Sequence, residues 1–204
     1  HGIHQYLAGR KQTHFNTATP LTLAETASVF GEMLTFKSLL HQAENKVERK
    51  ALLANKVEDM LNTVIRQIAF YEFEKNVHDL RKQSELSVDK ICSVWMEVQK
   101  KSLGKGIKYD EEYKYYWSYI PHFIHSPFYV YAYAFGDCLV NSLFNVYEGG
   151  LNDFDKKYIN LLESGGSQNY SDLLKPFSLN PKDKLFWKKG LRIIEDLIDQ
   201  LEML

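Results

Sequence analysis

Apolar side chains recur at steps of three and four along two long stretches of the chain. The first stretch runs from Lys46 to Gln83 and predicts a long amphipathic helix. The second begins at Asn180-Pro181, a capping residue followed by proline at the first helical position, and predicts a helix that runs to the C-terminus. The apolar stripes of the two helices are Leu53, Val57, Met60, Val64, Ile68 and Tyr71, and Trp187, Leu191, Ile194, Ile198 and Leu201.

The segments between these two helices also favour helical structure. Ser87 predicts the start of a helix that should end near Gly104 and Gly106. Tyrosines alternate over 128–135, which could indicate a strand, but the apolar run continues to Phe144 and that length favours a buried helix. Loops are expected at 10–20, 100–108 and 163–168. The pattern therefore predicts an all-α fold in one unit.

Charge and composition exclude several classes of function. The chain has 25 basic and 26 acidic residues, spread along its length, so we expect no binding to nucleic acid or to an anionic membrane. No apolar run approaches the roughly 20 residues of a transmembrane helix, and no signal segment is recognised. Cys92 and Cys138 lack the spacing of metal ligands and indicate no disulfide framework. We expect a cytoplasmic protein.

Two short motifs near the N-terminus hold candidate metal ligands. The chain opens with His1-Gly2-Ile3-His4, and residues 24–32 read Ala-Glu-Thr-Ala-Ser-Val-Phe-Gly-Glu. This pair resembles the oligoendopeptidase F family of zinc metallopeptidases, in the thimet-oligopeptidase-like superfamily. In that family one helix carries His-Glu-x-x-His, and a second helix supplies a glutamate within Ala-Glu-x-Ala-Ser-x-x-x-Glu. The resemblance implies that residues 1–204 are the C-terminal helical part of the catalytic domain, beginning at the second histidine of the zinc motif.

The resemblance also implies a ligand set for Zn²⁺. Zinc in a hydrolytic site takes three protein ligands and leaves one position for water. His1 and Glu25 would be two ligands, while the third ligand and the general base would lie in the missing N-terminal part of the same enzyme. This part alone should then be inactive. Glu32, two helical turns after Glu25, is expected to support the ligands, with His4 as a partner for it or for the ligand helix; an ordinary surface charge is the alternative for Glu32.

A tyrosine-rich segment provides further candidates. Residues 120–123 read Ile-Pro-His-Phe and residues 127–131 read Pro-Phe-Tyr-Val-Tyr, which is similar to a stretch of the same family. The resemblance implies that His122 and one tyrosine hydrogen-bond the substrate and the oxyanion of the reaction. The family pattern favours Tyr131. If the segment is helical, Tyr129 and Tyr133 share a face with His122, which favours Tyr129.

The expected function is zinc-dependent hydrolysis of short peptides. A looser match over 161–174 contains Gly165-Gly166 and is interpreted as a structural connection. The competing interpretation is a helical interaction module without catalysis, in which His1 is incidental.

Overall fold

A computed structural model describes all 204 residues and contains helices and no strand. The predicted all-α class is confirmed. The eleven α-helices are α1 (Gly2–Lys11), α2 (Leu21–Ala24), α3 (Thr26–Gln42), α4 (Lys46–Met60), α5 (Gln67–Arg81), α6 (Val88–Leu103), α7 (His122–His125), α8 (Tyr131–Glu148), α9 (Phe154–Glu163), α10 (Tyr170–Leu174) and α11 (Lys184–Glu202). Short 3-10 helices cover His14–Asn16, Glu111–Tyr119 and Lys175–Phe177, and a π-helical segment covers Leu61–Arg66.

The chain divides into two compact units, in contrast to the one unit expected, and the first is made of residues 1–61 and 135–204. In this unit α1 packs on α9, and α4 packs on both α3 and α11. Phe30 of α3 lies in an aromatic group, with its ring centroid 4.6 Å from that of Tyr158 and 5.5 Å from that of Phe144. Burying these large rings supplies much of the unit's apolar core.

The second unit comprises residues 62–134. Here α5 packs on α6, and α6 packs on the 3-10 helix Glu111–Tyr119. The Trp95 side chain is fully buried, and its indole N–H donates to the Tyr113 carbonyl at 3.0 Å. The core around it consists of Ala69, Phe70, Phe73, Val94, Val98, Ile120 and Val130.

Several predicted helix boundaries agree with the structure and one is wrong. Ser87 caps α6 by accepting from the Lys90 N–H, and the helix ends before Gly104. The C-terminal helix starts later than predicted: its N-cap is Asp183, which accepts from the Leu185 N–H, whereas Asn180 accepts from the Lys182 N–H within a preceding turn. Pro181, which was expected at the first helical position, thus lies in the turn before the helix.

The glycine pair of the 161–174 segment is structural, as expected. Gly165 has φ +48°, and a Cβ there would lie 2.3 Å from the Asn16 carbonyl oxygen. The Gly166 N–H donates to the same oxygen at 2.8 Å. Glycine is therefore required where this connection approaches the segment that follows α1. No helix of the structure combines the length and the apolar character needed to cross a membrane.

Candidate functional site

The two predicted metal ligands of the first unit lie side by side. The His1 Nε2 atom is 3.4 Å from Glu25 Oε2, and the side chains are 64% and 27% exposed. Two donors at about 2.1 Å from a tetrahedral metal ion lie roughly 3.4 Å from each other. The two side chains are therefore spaced as two ligands of one ion would be. We call them the His1–Glu25 pair.

Glu25 is placed by a break between two helices. It has φ −90° and ψ 0° and lies between α2 and α3, in a sparsely populated backbone region that often holds active-site residues. The Ser28 hydroxyl donates to Glu25 Oε2 at 2.8 Å and so orients the carboxylate. Gly136 of α8 lets the backbone come close to this side chain, because a Cβ at position 136 would lie 3.2 Å from Glu25 Cβ.

The pair fits part of a zinc site. Imidazole nitrogen and carboxylate oxygen are both donors that zinc accepts in hydrolytic sites. Over residues 1–204, no group of three or more His, Cys, Asp or Glu side chains comes together in a way that could hold a metal ion. The assignment of His1 and Glu25 as two of the three ligands that the sequence resemblance implies stays a prediction.

The predicted supporting residues are found elsewhere than expected. Glu32 lies on α3, which begins only after Glu25, so the premise of one helix face shared by the two carboxylates does not hold. The Glu32 carboxylate is paired with the buried ammonium of Lys56 on α4, and not with His4. His4 is buried in α1, and burial lowers the pKa of its imidazole.

A buried acidic residue accompanies the Lys56–Glu32 pair. Asp137 of α8 is almost fully buried, and its carboxylate accepts from the Asn141 amide at 2.9 Å. Burial raises the pKa of Asp137 to about 6, while the positive charge of Lys56 acts in the opposite direction. The charged groups that act on Asp137 are Lys56, Glu32 and Asp59, so this carboxyl belongs to the surroundings of the Lys56–Glu32 pair.

In the second unit, His122 is surrounded by tyrosines. Its Nε2 atom is 3.2 Å from the Tyr133 hydroxyl oxygen. The His122 ring is stacked on the Tyr129 ring with centroids 5.7 Å apart, and the Tyr129 and Tyr133 centroids are 5.3 Å apart. We call these three residues the His122 cluster.

Tyr131 is separate from this cluster. It is the first residue of α8, its side chain is 38% exposed, and its ring lies edge-on to Tyr71 at 6.0 Å. The assumption of one helix through the whole segment is wrong, because His122 belongs to α7 and Tyr129 precedes α8. The grouping of His122 with Tyr129 nevertheless arises, through ring stacking in place of a shared helix face.

Four further residues bear on these sites and were not singled out as candidates. Ser28 lies inside the quoted Ala-Glu-x-Ala-Ser motif and could have been found there. Tyr133 lies four residues after Tyr129 in the tyrosine-rich segment, and that spacing could have identified it. Gly136 and Glu74, which binds the backbone at Phe128, carry no local sequence signal, since their contacts join distant parts of the chain.

Comparisons with known proteins bear on the family to which the chain belongs. The family model described as peptidase family M3 matches residues 1–193. Oligopeptidase PepF of Bacillus subtilis (strain 168) is 30% identical over the whole chain, which covers 30% of that protein. The chromosomal oligoendopeptidase F of Lactococcus lactis subsp. cremoris is 29% identical over the whole chain, which covers 34% of it. The chain therefore spans about a third of the length of these curated relatives.

A solved structure shows the same fold. The crystal structure of oligoendopeptidase-F from Enterococcus faecium superposes with a TM-score of 0.84 at 21% identity, over 99% of this chain and 37% of that one. The resemblance to the oligoendopeptidase F family that the motifs indicate is thus confirmed. The family model covers nearly the whole sequence, and the chain belongs to peptidase family M3.

Proposed function

We propose that this chain is part of a zinc-dependent peptidase that hydrolyses short peptides. Membership of peptidase family M3 supports a peptidase, and the curated relatives carry the names oligopeptidase and oligoendopeptidase. The observation that carries the metal-dependent part is the 3.4 Å separation of His1 Nε2 and Glu25 Oε2. Residues outside this chain would complete the ligand set and supply the general base. A cytoplasmic location is part of the same proposal.

His1 and Glu25 would hold the zinc ion. When bound, zinc acts as a Lewis acid that lowers the pKa of a water molecule and polarises a carbonyl group. The chain's own contribution is to fix the two donors. Ser28 donates to the Glu25 carboxylate, and Gly136 leaves room for the Glu25 side chain beside α8. A ligand whose own hydrogen bond is satisfied keeps its orientation, and such supporting partners commonly matter for metal affinity.

The tyrosine-rich segment would bind the peptide backbone. During hydrolysis negative charge develops on the carbonyl oxygen of the scissile bond, and a fixed neutral donor at that position contributes about 3 kcal/mol. The Tyr131 hydroxyl is our candidate for this donor, because its side chain is the more exposed of the two tyrosines and lies outside the His122 cluster. His122, held by Tyr129 and Tyr133, would hydrogen-bond the substrate backbone.

The test uses the whole enzyme with a quenched fluorescent oligopeptide. Turnover should disappear after dialysis against a chelator and return when zinc is added at about one equivalent. An unrelated folded protein offered as substrate should remain intact. Absence of any cleavage by the zinc-loaded enzyme would instead favour a non-catalytic helical interaction module, and cleavage that survives complete metal removal would contradict the metal-dependent mechanism.

A further inference from the structure

A buried glutamate of the second unit binds the backbone next to the tyrosine-rich segment. Glu74 of α5 is 2% exposed, and its Oε1 atom accepts from the Phe128 N–H at 2.7 Å. Its other oxygen, Oε2, is buried without a hydrogen-bond partner. An incompletely satisfied buried carboxylate is costly to a protein. Its presence here calls for a role that a smaller or apolar side chain could not fill.

The residue that Glu74 binds has an unusual backbone conformation. Phe128 has φ +59°, in the left-handed region that residues with a Cβ rarely adopt. Such a conformation persists only where surrounding contacts impose it. The Glu74 hydrogen bond is one such contact. Two other side chains of α5 provide packing, since the Phe128 ring centroid lies 4.8 Å from that of His78 and 6.4 Å from that of Tyr71.

The turn at Phe128 determines where the following tyrosines lie. Tyr129 comes next and stacks on His122, Val130 is fully buried, and Tyr131 begins α8. A change of φ at position 128 would rotate the chain that leads into these residues. The backbone direction at Tyr129 and Tyr131 is thus coupled to the contact that Glu74 makes.

Opposing influences act on the ionisation of the Glu74 carboxyl. Burial raises the pKa of the Glu74 carboxyl, and three interactions act in the opposite direction: the hydrogen bond from Phe128 and the charges of His78 and His122. The Glu74 carboxyl therefore lies within electrostatic reach of the imidazole of the His122 cluster as well as of the turn.

We infer that Glu74 is a positioning residue: its carboxylate holds Phe128 in the left-handed conformation and thereby places Tyr129 and Tyr131. This inference rests on the proposed function, because the value of placing the tyrosines is that they bind the peptide during hydrolysis. Glu74 itself does not touch substrate. Its effect on the reaction passes through the backbone at Phe128.

Two conservative substitutions at position 74 separate the effect of side-chain length from the effect of charge. Glu74→Gln keeps an oxygen at the same distance from the backbone and removes the charge. Glu74→Asp keeps the charge and shortens the side chain by one methylene, so that it no longer reaches the Phe128 N–H. Glu72→Gln is the matched control, because Glu72 lies on the same helix and forms a surface ion pair with Lys101. All three are made in the whole enzyme.

Amide hydrogen exchange at Phe128 is the first measurement, and it does not depend on catalysis. In the Glu74→Asp variant exchange should be about tenfold faster than in the wild type, while the Gln variant and the control remain near the wild type. Unchanged protection of Phe128 in a folded Glu74→Asp variant would overturn the inference even if the peptidase proposal is correct. If wild-type enzyme cleaves no peptide, the proposed function fails, and the exchange data still decide the structural part.

Steady-state kinetics give the second measurement. Glu74→Asp should lower kcat by about 10–100-fold with KM within about threefold, because misplacement of a group by an ångström affects the transition state more than binding. Glu74→Gln should retain kcat within about threefold by the same reasoning. The reverse order, with Asp active and Gln inactive, would show that charge is the property that matters and would overturn the inference. If the Glu74→Asp variant does not fold, the Glu74→Gln variant alone decides. A large loss of kcat in Glu74→Gln would contradict the role of Glu74 as a hydrogen-bond acceptor.

Discussion

The His1–Glu25 pair and the His122 cluster are built in opposite ways. The pair consists of a largely exposed His1 side chain and a partly buried Glu25 side chain, and one hydrogen bond, from Ser28, orients Glu25. The cluster consists of rings 5.3–5.8 Å apart and a direct contact between His122 and the Tyr133 hydroxyl. A ligand bond would add directional restraint to the pair, whereas aromatic packing already restrains the cluster.

Each of the two units also contains a buried ionisable group. Asp137 and Lys56 are buried in the first unit, and in the second Glu74 binds the turn that precedes Tyr129. Buried charges in a protein require partners and often fix one arrangement of the groups around them. The exposed pair should therefore respond most strongly to loss of metal, whereas the packed cluster should respond most strongly to changes in geometry.

The largest effect is expected at the pair itself. In the whole enzyme, Glu25→Gln should lower turnover roughly a thousandfold or more, because a neutral amide is a poor zinc ligand and the loss removes the chemistry that the metal supplies. Glu85→Gln, an exposed carboxylate in the chain, is the control and should have no effect. Full turnover and full zinc content in the Glu25 variant would remove Glu25 from the ligand set.

The next effect concerns the tyrosines. Tyr131→Phe should lower kcat about 100-fold with little change in KM, as expected for loss of one donor to a developing oxyanion. Tyr129→Phe should cost less, because its ring stacking with His122 does not need the hydroxyl. Tyr119→Phe, at a highly exposed position, is the control. If Tyr129→Phe proved the more damaging, the donor role would pass to Tyr129.

A smaller effect is expected on stability, through Asp137. The pKa of Asp137 is about 6 in the folded protein, against 3.8 for a free aspartate. The contribution of Asp137 to folding stability is therefore fully present below pH 4 and is lost as pH rises through 6. The Asp137→Asn side chain does not titrate, so the variant does not lose this stability as pH rises. Relative to the wild type, the variant should gain about 2–3 kcal/mol in free energy of unfolding between pH 4 and 7. Denaturation of both proteins at about pH 4 and pH 7 measures this gain. If the variant and the wild type differed by the same free energy of unfolding at both pH values, the raised pKa of Asp137 would be contradicted.

The smallest effect is expected for Glu32. Its carboxylate pairs with Lys56 and is half exposed, so Glu32→Gln should cost about 1 kcal/mol of stability and less than tenfold in turnover. A carboxylate that supports a zinc ligand would instead cost about 10–100-fold in metal affinity or activity. Zinc titration of the Glu32→Gln enzyme distinguishes the two, and an affinity loss of that size would restore the role predicted from the sequence.

The sequence predicts the helices well and the contacts between them less well. Apolar periodicity locates α4, α5 and α11 because it follows directly from burial of one helix face. Ser87 predicts the start of α6 because capping is a local interaction. Asn180 misleads because Asp183 is an equally good cap three residues later, and only the tertiary structure selects between them.

The candidate site shows the same limit. His1 and Glu25 come from motifs of a known family, and their proximity follows from that resemblance. The partner of Glu32 could not be predicted, because Lys56 belongs to another helix and lies 24 residues away in the sequence. Glu74 and Phe128 are 54 residues apart, and the left-handed conformation of a phenylalanine has no sequence signal.

The most direct test of the central claim is the position of the metal in crystals of the zinc-loaded whole enzyme. Diffraction data collected above and below the zinc absorption edge give an anomalous difference map that locates the ion independently of the protein atoms. We predict one peak about 2.0–2.2 Å from both His1 Nε2 and a carboxylate oxygen of Glu25. A fully occupied zinc peak bound by other residues, with His1 and Glu25 outside bonding distance, would contradict the account.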